Sequence, residues 1–102
     1  MLELRPNCEY CDKDLPSTSM EARICTYECT FCAACIETVL HNVCPNCDGG
    51  FVPRPIRPSI DRRQGVSLMH QPASTQRVHL KYSTEEIKAF VAGVKDIAPE
   101  HR

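Results

Sequence analysis

The chain has no tryptophan, few other aromatics, and no cysteine anywhere in its last 55 residues. Each absence narrows the reading. No apolar stretch approaches the ~20 residues that a membrane-spanning helix needs, so no membrane role is expected. The opening Met-Leu-Glu-Leu-Arg-Pro shows no basic stretch followed by an apolar run, so no secretory signal is expected and a reducing cytosol is the expected setting. No nucleophile stands beside a plausible base, which gives catalysis no support.

What the chain does have is eight cysteines, all between Cys8 and Cys47. Six of them form plain C-x-x-C pairs: Cys8/Cys11, Cys32/Cys35 and Cys44/Cys47. The other two, Cys25 and Cys29, are separated by three residues. A unit of about 50 residues buries too little surface to fold comfortably without a metal or disulfides. Cysteines two residues apart bond poorly to each other and chelate well, and the reducing setting argues against disulfides. The arrangement therefore reads as two four-thiolate zinc sites, with metal rather than a large apolar core fixing the first half of the chain.

Charge is uneven. Residues 1–52 carry three basic and eight acidic groups, and residues 53–102 carry nine and five. Ionised thiols on two zinc ions would make the first half more negative still. Such a surface repels phosphate, so nucleic acid is not expected as a partner of the cysteine module. Arg54, Arg57, Arg62 and Arg63 cluster after it, but without the interleaved aromatics that stack on bases. They read as a solvated linker, or as an arm folded against the acidic module.

Local patterns fill in the elements. Cys8-Glu-Tyr-Cys11 and Cys44-Pro-Asn-Cys47 read as tight turns, each presenting two sulfurs to one metal. Ala22–Cys29 alternates in the manner of a short strand. From Cys32, the spacing of Ile36, Val39, Leu40 and Val43 predicts a helix, with Cys32 and Cys35 stacked on its first turn. Phe51 and Val52 suggest a last short strand. Pro53, Pro55 and Pro58 make the next stretch extended and place a boundary near residue 58. Residues 59–82 lack periodicity and read as a flexible linker. Ser83 and Glu86 form a capping box for a helix over 83–98, with Ile87, Phe90, Val91, Val94 and Ile97 on one face until Pro99 ends it. A helix of that length needs a partner for its apolar face, either the zinc module or a second chain in a homodimer.

Spacing alone leaves two ways to share the metals: sequential sites, or an interleaved cross-brace. The eight-residue gap from Cys35 to Cys44, just long enough for a helix, and the Cys44-Pro-Asn-Cys47 turn after it resemble a RING finger. LIM domains, the sequential counterpart, have a much longer final loop. The RING resemblance implies a small zinc-stabilised α+β fold with a cross-brace and two four-cysteine zinc sites. It implies Cys8, Cys11, Cys32 and Cys35 on one zinc ion and Cys25, Cys29, Cys44 and Cys47 on the other. His41 sits near the helix end as a capping or surface residue, and His70, His79 and His101 have no ligand partner at useful spacing.

The opening eleven residues, the central Ala22–Cys35 stretch and the Val43–Cys47 turn also resemble a family of short bacterial proteins known only as a domain of unknown function. That resemblance covers residues 1 to about 58. It implies a bacterial cytosolic protein with zinc-binding cysteines and carries no activity.

The sequence thus points to a non-catalytic zinc module that binds a protein partner. Alternatives are a RING-type ubiquitin-ligase-like adaptor, an iron–sulfur or redox protein, and a nucleic-acid-binding regulator. The first would dock its partner in an apolar groove near Tyr10 and Pro45, but the chain lacks tryptophan and places Asp48 where many ligases have a basic residue. An iron–sulfur run like Cys29-x2-Cys32-x2-Cys35 would want its fourth cysteine sooner, and a redox C-x-x-C would want a βαβ context.

Overall fold

A computed structural model describes all 102 residues. The chain is a small α+β fold with a three-stranded antiparallel sheet in the order β2-β1-β3. Strand β1 spans Ala22–Ile24, β2 spans Thr30–Cys32 and β3 spans Val52–Pro53. Register pairs Arg23 with Phe31 on one side and Ile24 with Val52 on the other.

The stretch read as one strand over Ala22–Cys29 is in fact a strand followed by a turn. The chain reverses between Cys25 and Cys29, with Glu28 N–H donating to the Cys25 carbonyl at 3.0 Å and Glu28 in a left-handed conformation at φ 67°. The reversal returns the chain as β2. The physical reason is local: two cysteines that share a site must bring their sulfurs to one point, and a turn does this where an extended strand would keep them on one face but about 13 Å apart. At the other edge, Pro53 has no N–H to offer a further strand, and a proline is tolerated there because the edge is unpaired.

The central helix starts at Cys32 as predicted but changes pitch. Helix α1 covers only Ala33–Cys35, and a π-helical turn, Ile36–Leu40, continues it. The wider turn leaves Leu40 and Val43 buried, with Ile36 and Val39 half-buried. It ends at His41 and Asn42, both left-handed, at φ 46° and 61°.

The core is unusual in composition. Six of the thirteen residues in its buried cluster are cysteines, and the rest include Leu15, Phe31, Leu40 and Val43. Phe31 meets Phe51 edge to face, ring centroids 5.4 Å apart, across the sheet.

Helix α2, Thr84–Val94, is capped as the sequence implied: Ser83 Oγ accepts from Glu86 N–H at 3.1 Å, and the Glu86 carboxylate accepts from Ser83 N–H. It buries Ile87 and Val91 in the same core as the cysteines, against the π-helical turn. Phe90 and Ile97, expected on the same face, remain 41% and 42% exposed. Residues 59–82, expected as a flexible linker, hold no helix or strand and are hydrogen-bonded to the module at several points, among them Ser74 N–H to the Leu4 carbonyl and Leu80 N–H to the Glu9 carbonyl, both 3.0 Å. No helix is long and apolar enough to cross a membrane.

Candidate metal centre

The two C-x-x-C turns at Cys8–Cys11 and Cys44–Cys47 share one construction. In the first, Asp12 N–H donates to the Cys8 carbonyl at 2.9 Å; in the second, Asp48 N–H donates to the Cys44 carbonyl at 2.8 Å. The residue after each pair is left-handed, Asp12 at φ 66° and Asp48 at φ 59°. Aspartate tolerates that conformation better than most residues. Each turn thus curls its two sulfurs to the same side.

The turns converge with the helix start and the β1–β2 reversal to form two clusters. The sulfurs of Cys8, Cys11, Cys32 and Cys35 all lie within 4.8 Å of one another, and so do those of Cys25, Cys44 and Cys47. Cys29 stands slightly apart from that trio. Its sulfur accepts from Asn46 Nδ2 at 3.4 Å. The ligand pairs interleave along the chain, so the two clusters brace each other through shared intervening segments. Of the alternatives that spacing left open, the fold takes the cross-brace.

All eight cysteines are free thiols. The clusters fit a tetrahedral ion: zinc–sulfur bonds of about 2.3 Å imply sulfur–sulfur edges of about 3.8 Å. The Cys11 and Cys32 sulfurs stand 3.8 Å apart.

Electrostatics points the same way. Hydrogen bonds from the Cys29 and Cys44 thiols push the Cys25 thiol down to about 3. Hydrogen bonding to Cys25 and Cys29, reinforced by burial, pushes Cys44 far up. In the first cluster burial raises Cys8 and Cys35. Left to themselves, crowded thiols let one member ionise at the expense of its neighbours, because adjacent negative charges in a dry site repel. A divalent cation removes that conflict by letting all four ionise together.

Around the sulfurs lies a layer of polar residues that the spacing pattern did not reveal. Glu9, buried inside the first turn, accepts from Thr30 N–H at 2.6 Å and from Arg5 at 2.7 Å. Burial raises its pKa even so. Asn7, fully buried, donates to the Cys8 carbonyl and to Asp12. Of the clustered arginines, Arg54 donates to the Arg5, Leu15 and Pro16 carbonyls and Arg57 to those of Leu2 and Gln71, while Arg62 and Arg63 are exposed. Only the position of Asn7 and Glu9 beside the first ligand could have marked them in the sequence. His41 is exposed at the end of the π-helical turn, and His70 and His79 face Asp61 and Asp12 at 3.0 and 3.7 Å. None of these histidines joins either sulfur cluster.

Fold and site together define a small cross-braced cysteine module able to hold two metal ions. Residues 1–57 match the family described as "Protein of unknown function (DUF1272)", and the chain belongs to that family. An uncharacterised protein of Rhizobium meliloti (strain 1021) is 58% identical over 78 residues, covering 76% of this chain and 86% of the relative. That likeness runs past the family match into the C-terminal half. No solved structure matches the chain.

Proposed function

We propose that the chain is a non-catalytic module of the bacterial cytoplasm, folded around two zinc ions, that docks a protein partner. The observation that carries this is the meeting of Cys8 and Cys11 with Cys32 and Cys35, in a cluster interleaved with that of Cys25, Cys44 and Cys47. Four thiolates with tetrahedral spacing suit zinc, and a full thiolate shell leaves no open position for substrate on the metal. The role left to such an ion is structural, on the order of 10 kcal/mol of folding free energy per site.

A partner surface is offered where α2 meets the second turn. Pro45, Tyr82, Ile87 and Phe90 line a notch of about 260 Å³. A homodimer through the exposed stripe of α2 is one way to fill it, and a different protein is another. Engagement of Arg54 and Arg57 within the fold leaves little of the arginine cluster for nucleic acid. A ligase-like groove joining Tyr10 to Pro45 is disfavoured because Tyr82 and α2 flank Pro45 and occupy that side.

Metal analysis and native mass spectrometry of freshly purified protein test the first half of the reading. Two zinc ions per chain and a colourless solution are expected, whereas visible absorbance with bound iron would overturn it in favour of an iron–sulfur protein. Affinity capture from the native host with the intact chain and with Phe90→Glu tests the second. A partner retained equally by both would place the docking surface elsewhere.

A further inference from the structure

Residues 74–80 carry neither helix nor strand, and their hydrogen bonds converge on one place. Ser74 N–H donates to the Leu4 carbonyl and Leu80 N–H to the Glu9 carbonyl, each at 3.0 Å. Between them Val78 exchanges two bonds with the Asn7 carboxamide. Its N–H donates to Oδ1 at 3.1 Å, and its carbonyl accepts from Nδ2 at 2.8 Å. Arg77 donates to Asp12 Oδ1 from Nε and Nη2 at 3.0 and 2.8 Å, to the Asp12 carbonyl at 2.6 Å and to Asp14 at 2.7 Å. Every one of these partners lies in residues 4–14, the segment that carries Cys8 and Cys11.

Asn7 joins the strap to the turn. Its Nδ2 reaches the Cys8 carbonyl at 3.2 Å and Asp12 Oδ1 at 3.0 Å as well as Val78. Asp12 is the left-handed residue that closes the Cys8–Cys11 turn, and Arg77 grips the same carboxylate oxygen from outside. The acceptors that hold the strap are therefore in place only while the turn is closed. The turn is held by its own Asp12 N–H to Cys8 carbonyl bond together with the gathering of Cys8 and Cys11 onto the sulfurs of Cys32 and Cys35. Toward the second cluster the tail makes a separate tie, with Arg102 donating to the Asn42 and Asp48 carbonyls at 2.7 and 2.9 Å.

Resting on the metal reading above, we infer that residues 74–80 are a strap coupled to the first metal site: strap docking and metal at Cys8, Cys11, Cys32 and Cys35 strengthen each other. Loss of that ion frees the strap, and loosening the strap speeds loss of that ion. The coupling is reciprocal because both act on one element, the closed turn. The second site shares it less: the strap lines a cleft with Cys29 and Asn46 through Val78, His79 and Leu80 but makes no hydrogen bond to residues 25–29 or 44–47. Regulation of this module would then act through the first ion, whose ligand Cys11 is exposed.

The test uses the full chain, with zinc content measured first and release then followed with a chromogenic chelator. Arg77→Ala is the strap variant and Arg102→Ala the control. The expected result is that Arg77→Ala speeds one release phase about five-fold or more, the lower end of ordinary coupling between sites. Amide exchange at Val78 and Leu80 should rise with that phase while the Asp48 amide stays protected. Unchanged release in Arg77→Ala, persistent protection of Val78 and Leu80 after the first ion has left, or acceleration of the phase that deprotects Asp48 would each overturn the coupling. Protein isolated without two zinc ions would instead overturn the metal reading, and the initial zinc content separates the two failures.

Discussion

The Arg54 guanidinium donates to the Leu15 carbonyl at 3.2 Å, across 39 residues of sequence, and also reaches the Pro16 and Arg5 carbonyls at 3.0 and 2.8 Å. The side chain is only 4% exposed and has no carboxylate beside it, and burial lowers its pKa. It thereby closes both ends of the loop that carries Cys8 and Cys11. Arginine keeps its proton even so, and its planar fork suits several carbonyls at once.

Replacing Arg54 by alanine takes the donor from the buried Leu15 carbonyl and from that of Arg5, while Ser19 N–H still reaches that of Pro16, and is expected to cost about 2–4 kcal/mol. Arg54→Lys should recover little of this, because an ammonium group cannot span the same three acceptors. Arg62→Ala and Arg63→Ala should stay within about 0.5 kcal/mol of the parent, as exposed substitutions do. Urea unfolding of zinc-loaded protein measures all four, and a near-neutral Arg54→Ala would show that the guanidinium does not hold the loop.

Removal of both ions is expected to unfold residues 1–52 cooperatively. Sulfur makes up much of the core, and the apolar remainder is too small to hold the module together. Cys35→Ala should unfold the first cluster and the base of the helix alone, because it takes a buried thiol from that cluster, and the Asp48 amide should stay protected. Dispersion of amide signals in NMR, with and without chelator, reads both outcomes. A well-dispersed spectrum in metal-free protein would sink the premise that metal supplies the folding free energy.

Cys29 is the ligand that stands apart from its cluster, and Cys29→Ser is expected to be milder. The first site should keep its ion, while the second binds more weakly through its remaining three thiols. Zinc content after dialysis should fall from two ions toward one. Complete loss of both ions would show that the two sites fold as a single unit.

Ser83→Ala removes one half of the capping box on α2 and should cost about 1 kcal/mol locally. Because α2 meets the core through Ile87 and Val91, with half-buried Val94 beside them, the loss should show as faster amide exchange along Thr84–Val94, led by Glu86, with little change near the cysteines. Equal acceleration throughout the chain would mean that α2 and the cysteine module open together.

The cysteine spacing made the two sulfur clusters of the first half legible, because thiols placed two residues apart suit one shared ion better than a bond to each other. The capping box at Ser83 and Glu86 was equally readable, since it depends on two side chains and the backbone within one turn. The reversal at Cys25–Cys29 was missed because strand alternation and a turn between two ligands look alike over eight residues. The π-helical turn was missed because i, i+3 and i+4 apolar spacing suits an α-helix equally well.

Short-range chemistry is what the amino-acid order settled unaided: which residues can chelate, where the turns fall and how the last helix is capped. Tertiary packing carried out the interleaved pairing that the RING resemblance implied, and it alone set Arg54 and Asn7 behind the first turn and laid residues 74–80 along it. Those choices rest on contacts between segments tens of residues apart, where a hydrogen bond forms only after the core has fixed both partners in space. No local pattern encodes a bond such as that between Asn7 and Val78, because neither residue stands out until the fold brings them together.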